Sequence, residues 1–397
     1  MLPSVLPYAR QLIEDDDIAA VTAVLRSPWL AHGPKVAEFE RAFAKAVGAE
    51  EAVACSSGTA ALQLALAAAD VARGQLCVVP AVTFLSTATA PRLAGADVLF
   101  ADVDPETGLT TSALVQEALA RRPVGSVGAM LPVHLGGRLA DTAALAEIAH
   151  GLGACLIEDA AHALGSVGPD GPAGGCASAD FACFSLHPIK TIAAGEGGVV
   201  TTNDRARAER MRSLRNHGVT HEAERFVDPE LSLGADGRRN PWSYEQQELG
   251  FNLRLDEMSA ALALSQLGKL ARFRARRQAL AAAYDTALTP LAPLVRPIAT
   301  PEGQDPCLHL YQVRIDWAAA GISRADVMRR MADRGVATQV HYIPLHRQPY
   351  FRRLYGEQSL PGADAFYAQV LALPLFPAMA DEDVGRVVQA LAETLRP

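Results

Sequence analysis

The sequence predicts an α/β fold built on a large, mainly parallel sheet, followed by a smaller α/β unit. Three observations predict it. From about residue 50 to 200, short β-type runs alternate with helical runs. Each β-type run ends in turn or polar residues. From about residue 290 the texture changes, with prolines at 290, 293, 297, 301 and 306. Alternation at this spacing belongs to a sheet covered by helices on both faces. Ligands of such sheets sit beyond the carboxyl ends of the strands, so polar residues just after each β-type run are the candidates for chemistry.

The elements follow in order. Val53-Ala54-Cys55 reads as a strand leading to SSGTA and the helical AALQLALAAA. Leu76 to Val79 is a strand closed by Pro80, with a helix around 86–94. Asp97 to Phe100 is a strand, 112–121 a helix, Val127 to Val133 a strand and Asp141 to Gly151 a helix. Ala154 to Ile157 is a strand ending in Glu158-Asp159, and Val199 to Thr202 is another. Residues 256–288 keep apolar positions at helical spacing without an interior proline, which predicts one long helix bridging to the second unit. That unit has a strand-like His309 to Ile315, a helix at 323–334 and a second strand-like Ala337 to Tyr342. Residues 220–250 are polar and turn-rich and read as an irregular insertion. The division is therefore 1–270, an N-terminal segment with the large domain, and 271–397, a small C-terminal domain.

Composition narrows the function. Half of the 397 residues are hydrophobic and 20% are charged, which suits a sizeable ordered core. The net charge of -8 weighs against nucleic acid as a partner. The densest basic run, Arg272 to Arg277, reads as a solvated helix face rather than a binding patch. No signal-peptide pattern opens the sequence, and no uncharged apolar run approaches the ~20 residues of a membrane span, so a soluble, cytoplasmic protein is expected. Six cysteines without a CxxC pair read as buried free thiols. His341 and His346 are five apart with no acidic or thiol partner close by, so no metal site is expected.

Four stretches carry candidate chemistry. Lys190 lies in FACFSLHPIKTIAAGEGG, a largely uncharged stretch before a Gly-rich turn and a strand. Such surroundings favour the free amine, the form that makes imines. Glu158-Asp159, with His162 three residues beyond Asp159, ends a predicted strand, where a carboxylate either pairs with a protonated pyridine nitrogen or caps the next helix. Ser56-Ser57-Gly58-Thr59 opens a helix whose N-terminal amides can receive a phosphate, and Ser185 offers a further hydroxyl. Phe84, in Pro80-Ala-Val-Thr-Phe84, offers a ring either to a planar cofactor or to the core.

This set resembles the DegT/DnrJ/EryC family of sugar aminotransferases, of the aspartate aminotransferase fold (fold type I of the pyridoxal-phosphate enzymes). SGTAAL, the Pro-x-x-Thr-Phe run, Glu-Asp-Ala-x-His, Ser-x-His-Pro-x-Lys and Gly-Glu-Gly-Gly are its landmarks, and the similarity runs from Tyr8 to the C-terminal region. The resemblance implies pyridoxal 5'-phosphate as cofactor and Lys190 as the lysine that carries it. It implies Asp159 as the pyridine partner, Ser57, Gly58, Thr59 and Ser185 at the phosphate, Phe84 stacked on the ring and His162 near it. Asn252, in Gly-Phe-Asn-Leu-Arg254, matches a motif that reaches the cofactor phosphate of a neighbouring subunit, which implies a homodimer with shared active sites. Arg254 then meets the substrate diphosphate or makes a structural ion pair. Tyr8-Ala-Arg-Gln, the 27–34 run, Gln247 to Asn252 and His341 to Phe351 are similar to one branch, the transaminases forming UDP-4-amino-4,6-dideoxy-N-acetyl-β-L-altrosamine in pseudaminic acid synthesis. That similarity implies a UDP-linked 4-keto sugar bound by Tyr8, Pro28, Trp29, Leu30, Ala31, Val340, His341, Tyr342 and Ile343. It also implies L-glutamate as donor and 2-oxoglutarate as product. Ala31-His32 and Leu253 depart from the family, which often has Thr-Gln and Tyr there.

Overall fold

The computed structural model describes residues 5–121 and 125–395. Its centre is a seven-stranded sheet of β1 (Glu51–Cys55), β2 (Leu76–Pro80), β3 (Asp97–Ala101), β4 (Val127–Met130), β5 (Cys155–Asp159), β6 (Phe181–Ser185) and β7 (Gly198–Thr202). The spatial order is β1-β7-β6-β5-β4-β2-β3. Neighbours from β6 through β3 run parallel, while β7 pairs antiparallel with both β1 and β6. The strands are near-continuous apolar runs because helices cover both sides: Val53, Val79, Ile157 and Val200 are all fully buried.

A second sheet is antiparallel and three-stranded: β8 (Val295–Pro297), β9 (Tyr311–Ile315) and β10 (Val370–Leu373). Its core joins Tyr284, Tyr311, Val313, Met331, Leu371 and Leu391 from the strands and the helices Leu270–Leu288, Arg324–Asp333 and Asp381–Leu395. The N-terminal segment joins it too. Leu6 bridges Val336 and packs into this core, and the Tyr8 carbonyl accepts from Leu375.

Three expectations need correction. The helix predicted over 256–288 is two helices, Glu257–Leu267 and Leu270–Leu288, broken at Gly268-Lys269. The break lets the Lys269 ammonium reach Glu14, Asp16 and Asp17 at 3.1, 2.6 and 2.8 Å. Those acids form the one cluster with metal-ligand spacing among the described residues, and the ammonium sits in it. Ala337 to Tyr342 is not a strand. It makes one bridge, Gln339 to Ala372, because Ala337 donates instead to the Leu6 carbonyl and the next residues turn to line a cleft. The third strand comes from 370–373. Finally, the Arg272–Arg277 run is not a bare solvated face. Arg272, Arg274 and Arg276 pair with Glu14, Asp305 and Asp381, and buried Arg277 donates to the carbonyls of Leu308, His309 and Leu375.

The 220–250 stretch is largely irregular, as expected, with a one-turn helix Pro229–Ser232, a bridge between Leu233 and Arg239 and a short pairing of Val219–Thr220 against Glu245–Gln246. All six cysteines are free thiols and only Cys155 is partly exposed. Among the described residues no helix is long and apolar enough to cross a membrane.

Candidate active site

Two clefts of similar size open near the carboxyl ends of the parallel strands. One, of about 640 Å³, is lined by Asp104, Glu106, Asp141 and Glu158 and by no lysine or arginine. The other, of about 630 Å³, contains Lys190. Glu158 and Asp159 are successive strand residues, and side chains alternate faces along a strand. Glu158 therefore accepts from Thr142 Oγ1 at 2.8 Å in the first cleft, while Asp159 lines the second.

The second cleft brings together most of the residues singled out in the sequence. Tyr8, Ser57, Gly58, Thr59, Phe84, Asp159, His162, Ser185, Lys190, Val340, His341, Tyr342 and Ile343 all line it. Lys190 sits in the turn between β6 and β7, with its amide donating to the His187 carbonyl at 2.8 Å. Burial pushes its ammonium down to about 8, against the pull of Asp159. Asp159, 6% exposed, is anchored rather than free. Its Oδ2 accepts from Thr87 Oγ1 at 2.6 Å and its Oδ1 from the Ala161 amide at 3.2 Å.

The helix Gly58–Ala68 begins at this cleft. Ser57 caps it, its hydroxyl accepting from the Ala60 amide at 3.1 Å and its carbonyl from Ala61. The amides of Gly58 and Thr59 precede any intrahelical acceptor, and both residues line the cleft. Gly58 is required by a close approach: a Cβ there would stand 2.8 Å from Ser185 Cβ. Phe84, the N-cap of the helix Leu85–Leu93, leaves its ring 53% exposed beside the cleft, 5.9 Å from the Tyr342 ring.

Three buried histidines stand on the other side. His162 and His309 pack with ring centroids 4.6 Å apart and their planes tilted by 40°, and His341 faces Tyr8 at 5.6 Å. Burial, then the nearby Lys190, pushes His341 down to about 3. Burial likewise holds His162 and His309 well below the usual imidazole range, so all three rings are neutral.

Other expected site residues lie elsewhere. Pro28, Trp29, Leu30 and Ala31 are exposed between the first two helices, where the Leu30 carbonyl accepts from the Glu257 amide; they do not line this chain's cleft. Asn252 pairs with Asn216 as an isolated bridge, and Arg254 donates to Asn216 Oδ1 at 2.6 Å; neither lines the cleft. Conversely, sequence reading missed Thr87, one helical turn beyond Thr83 and hydrogen-bonded to it at 2.7 Å. It also missed His309, which comes from the second sheet's side.

The donor set fits one cofactor. Two unclaimed amides and two hydroxyls can take a phosphate, a half-exposed ring can stack on a plane, an anchored carboxylate can hold a protonated ring nitrogen, and an amine poised near neutrality can meet an aldehyde. These are the parts of pyridoxal 5'-phosphate.

Comparison with known proteins agrees. The DegT/DnrJ/EryC1/StrS aminotransferase family matches residues 11–392. The chain is 35% identical to the spore coat polysaccharide biosynthesis protein SpsC of Bacillus subtilis (strain 168), covering 98% of this chain and 97% of SpsC. Spr1654 of Streptococcus pneumoniae, solved in PLP and PMP forms, superimposes in its PMP form with a TM-score of 0.87 at 26% identity, covering 98% of each chain. PseC of Helicobacter pylori, an aminotransferase involved in the biosynthesis of pseudoaminic acid, has a TM-score of 0.87 over 99% of each chain; at 24% identity this likeness speaks to the fold. The chain belongs to the DegT/DnrJ/EryC1/StrS family and is a pyridoxal-phosphate-dependent sugar aminotransferase.

Proposed function

We propose that this enzyme moves an amino group from L-glutamate to C4 of a UDP-linked 4-keto-6-deoxy-N-acetylhexosamine, releasing 2-oxoglutarate and the 4-amino sugar of pseudaminic acid synthesis. The observation that carries the proposal is the joint position of Lys190, Asp159 and an open helix N-terminus in one cleft. The sugar rests on the similarity of the Tyr8, 27–34 and 341–351 runs to that branch. One observation favours a second reading, a different nucleotide-linked keto sugar: the higher identity is to SpsC, a spore coat polysaccharide protein, and Ala31-His32 departs from the branch.

Pyridoxal phosphate, when bound, supplies an aldehyde carbon that carries nitrogen between two substrates and a ring that accepts carbanion charge. The chain's own groups do the rest. The amides of Gly58 and Thr59 and the hydroxyls of Ser57 and Ser185 hold the phosphate. Phe84 would pack against the cofactor ring, with His162 near it. Asp159, held in aim by Thr87 and Ala161, keeps a proton on the ring nitrogen. Lys190 would hold the aldehyde carbon, and its free amine would be the general acid/base that takes the proton from glutamate Cα and delivers one to C4 of the sugar. Tyr8, Val340, His341, Tyr342 and Ile343 contact the sugar nucleotide.

The site is completed by a second copy of the chain. Asn252, Arg254 and the Pro28–Ala31 run, all outside their own cleft, serve the neighbour's in a homodimer. Trp29, 54% exposed, is then the face that packs on sugar or uracil.

The test is an absorbance spectrum of the purified protein, first with glutamate and then with a panel of UDP-linked keto sugars. A visible band that glutamate bleaches and the 4-keto-6-deoxy sugar restores supports the proposal. Restoration only by another sugar establishes the second reading, and a band that ignores every donor overturns both.

A further inference from the structure

The hydrogen bonds behind His162 decide which way protons point in the cleft. The Gly136 amide donates to His162 Nδ1 at 3.3 Å. Gly136 is itself held in place: its φ is 68°, its carbonyl accepts from His309 at 2.9 Å and Leu310 at 3.3 Å, and a Cβ would stand 2.8 Å from Gln312 Oε1. A ring nitrogen that accepts an amide proton carries none of its own. The ring is buried and faces Lys190, His309, His341 and Tyr342, surroundings that keep it neutral. Its single proton is then on Nε2, which lies 3.1 Å from Tyr342 Oη. With Nε2–H donating, the tyrosine oxygen is the acceptor and its own proton turns away from His162. Among the described residues that hydroxyl has no second partner, and Tyr342 lines the cleft with Lys190 and Asp159.

We propose that His162 is a positioning residue: by accepting from Gly136 and donating to Tyr342, it makes the Tyr342 hydroxyl a fixed hydrogen-bond donor into the cleft, matched to an oxygen acceptor on the bound ligand. The proposal deepens the reading of this cleft as the aminotransferase site and rests on it. A keto oxygen of the sugar and the ring oxygen of the cofactor share the required chemistry. The ammonium of an amino-sugar product does not, because it has no lone pair to offer.

The test begins with 15N-histidine-labelled protein, with and without cofactor, in long-range proton–nitrogen spectra from about pH 5 to about pH 8, the span over which an ordinary histidine changes charge. The His162 signal is identified by its loss in His162→Gln. A neutral ring protonated on Nε2 throughout is expected; a proton on Nδ1, or on both nitrogens, overturns the proposal. The second arm compares three variants. His162→Gln can still accept from Gly136 and donate to Tyr342, and should lose less than about threefold, whereas His162→Leu and Tyr342→Phe should each lose about tenfold. The double variant should be no worse than either alone, because both break one relay. Loss in the KM of the keto sugar assigns the acceptor to the sugar; loss in cofactor affinity assigns it to the cofactor. Additive losses, or a Tyr342→Phe enzyme unchanged in both, overturn the relay. Failure of the native protein to show a glutamate-sensitive band sinks the aminotransferase reading, while the ring spectra of cofactor-free protein still decide the proton's position.

Discussion

Two lysines of this chain are drawn out of water, and their surroundings push them in opposite directions. Lys190 stands in a cleft with one carboxylate near, and burial brings it down to about 8. Lys269, 9% exposed at the junction of two helices, is also penalised by burial, but bonds to Asp16, Asp17 and Glu14 override this and raise it above the ordinary lysine range. Asp17 answers in kind. Burial alone would raise its pKa, yet Lys269, Ser265 and the Glu14 amide hold it below the usual carboxylate range. The contrast shows what makes a lysine reactive: low dielectric without enough counter-charge to hold the proton. Surplus counter-charge makes the same side chain a strut.

The contrast can be broken by substitution. The largest expected effect is Lys190→Ala, which should lower turnover by about ten-thousandfold or more while leaving the melting temperature of the cofactor-free protein close to that of the parent. Substantial residual turnover in single-turnover kinetics would refute the assignment. Lys269→Met should do the reverse. It strands a buried Asp17 without its cation, so urea unfolding should show a loss on the order of 3 kcal/mol, with turnover per folded molecule unchanged. If stability holds and turnover falls instead, the two roles have been misassigned. Thr87→Val removes the hydroxyl that aims Asp159 and should cost about tenfold in kcat, with Thr87→Ser recovering most of it.

The most delicate contrast is in pH. Only the free amine of Lys190 can take up the cofactor. Below the folded pKa of about 8 the ammonium dominates, so the rate of band formation by cofactor-free protein should fall about tenfold per pH unit, and above it the rate should level. A plateau reached only near about 10.4, the ordinary lysine value, would mean that the cleft does not perturb the amine. Lys269 predicts the opposite sign. Its folded pKa is raised, so its contribution to stability is fully present below the unfolded lysine pKa and is lost only as pH rises through the folded one.

Much of the site was legible because the fold places it by rule. Asp159 closes β5, Phe84 follows β2 and Ser57 follows β1, each found by asking what comes after a strand, while Lys190 was found by its uncharged setting before β7. What escaped was set by partners distant in the chain. The break at Gly268-Lys269 is invisible to a 3.6-residue period, because its cause lies about 250 positions earlier, in Glu14 to Asp17. Ala337 to Tyr342 alternates like a strand, but Leu6 takes the pairing and the cleft takes the side chains. His309 carries no local mark; only its packing against His162 brings it to the site.

The sequence by itself determined the alternating architecture, the order of the motifs and hence the family, because these depend on periods and turns a few residues long. It also determined which side chains are available for chemistry. The tertiary structure alone decided their state. Whether a lysine is an amine or an ammonium, which imidazole nitrogen carries a proton, and which of two adjacent carboxylates faces the lysine all depend on burial and on neighbours from other strands. Those quantities have no local trace, since the dielectric around a group is a property of the packed molecule rather than of its neighbours in the chain.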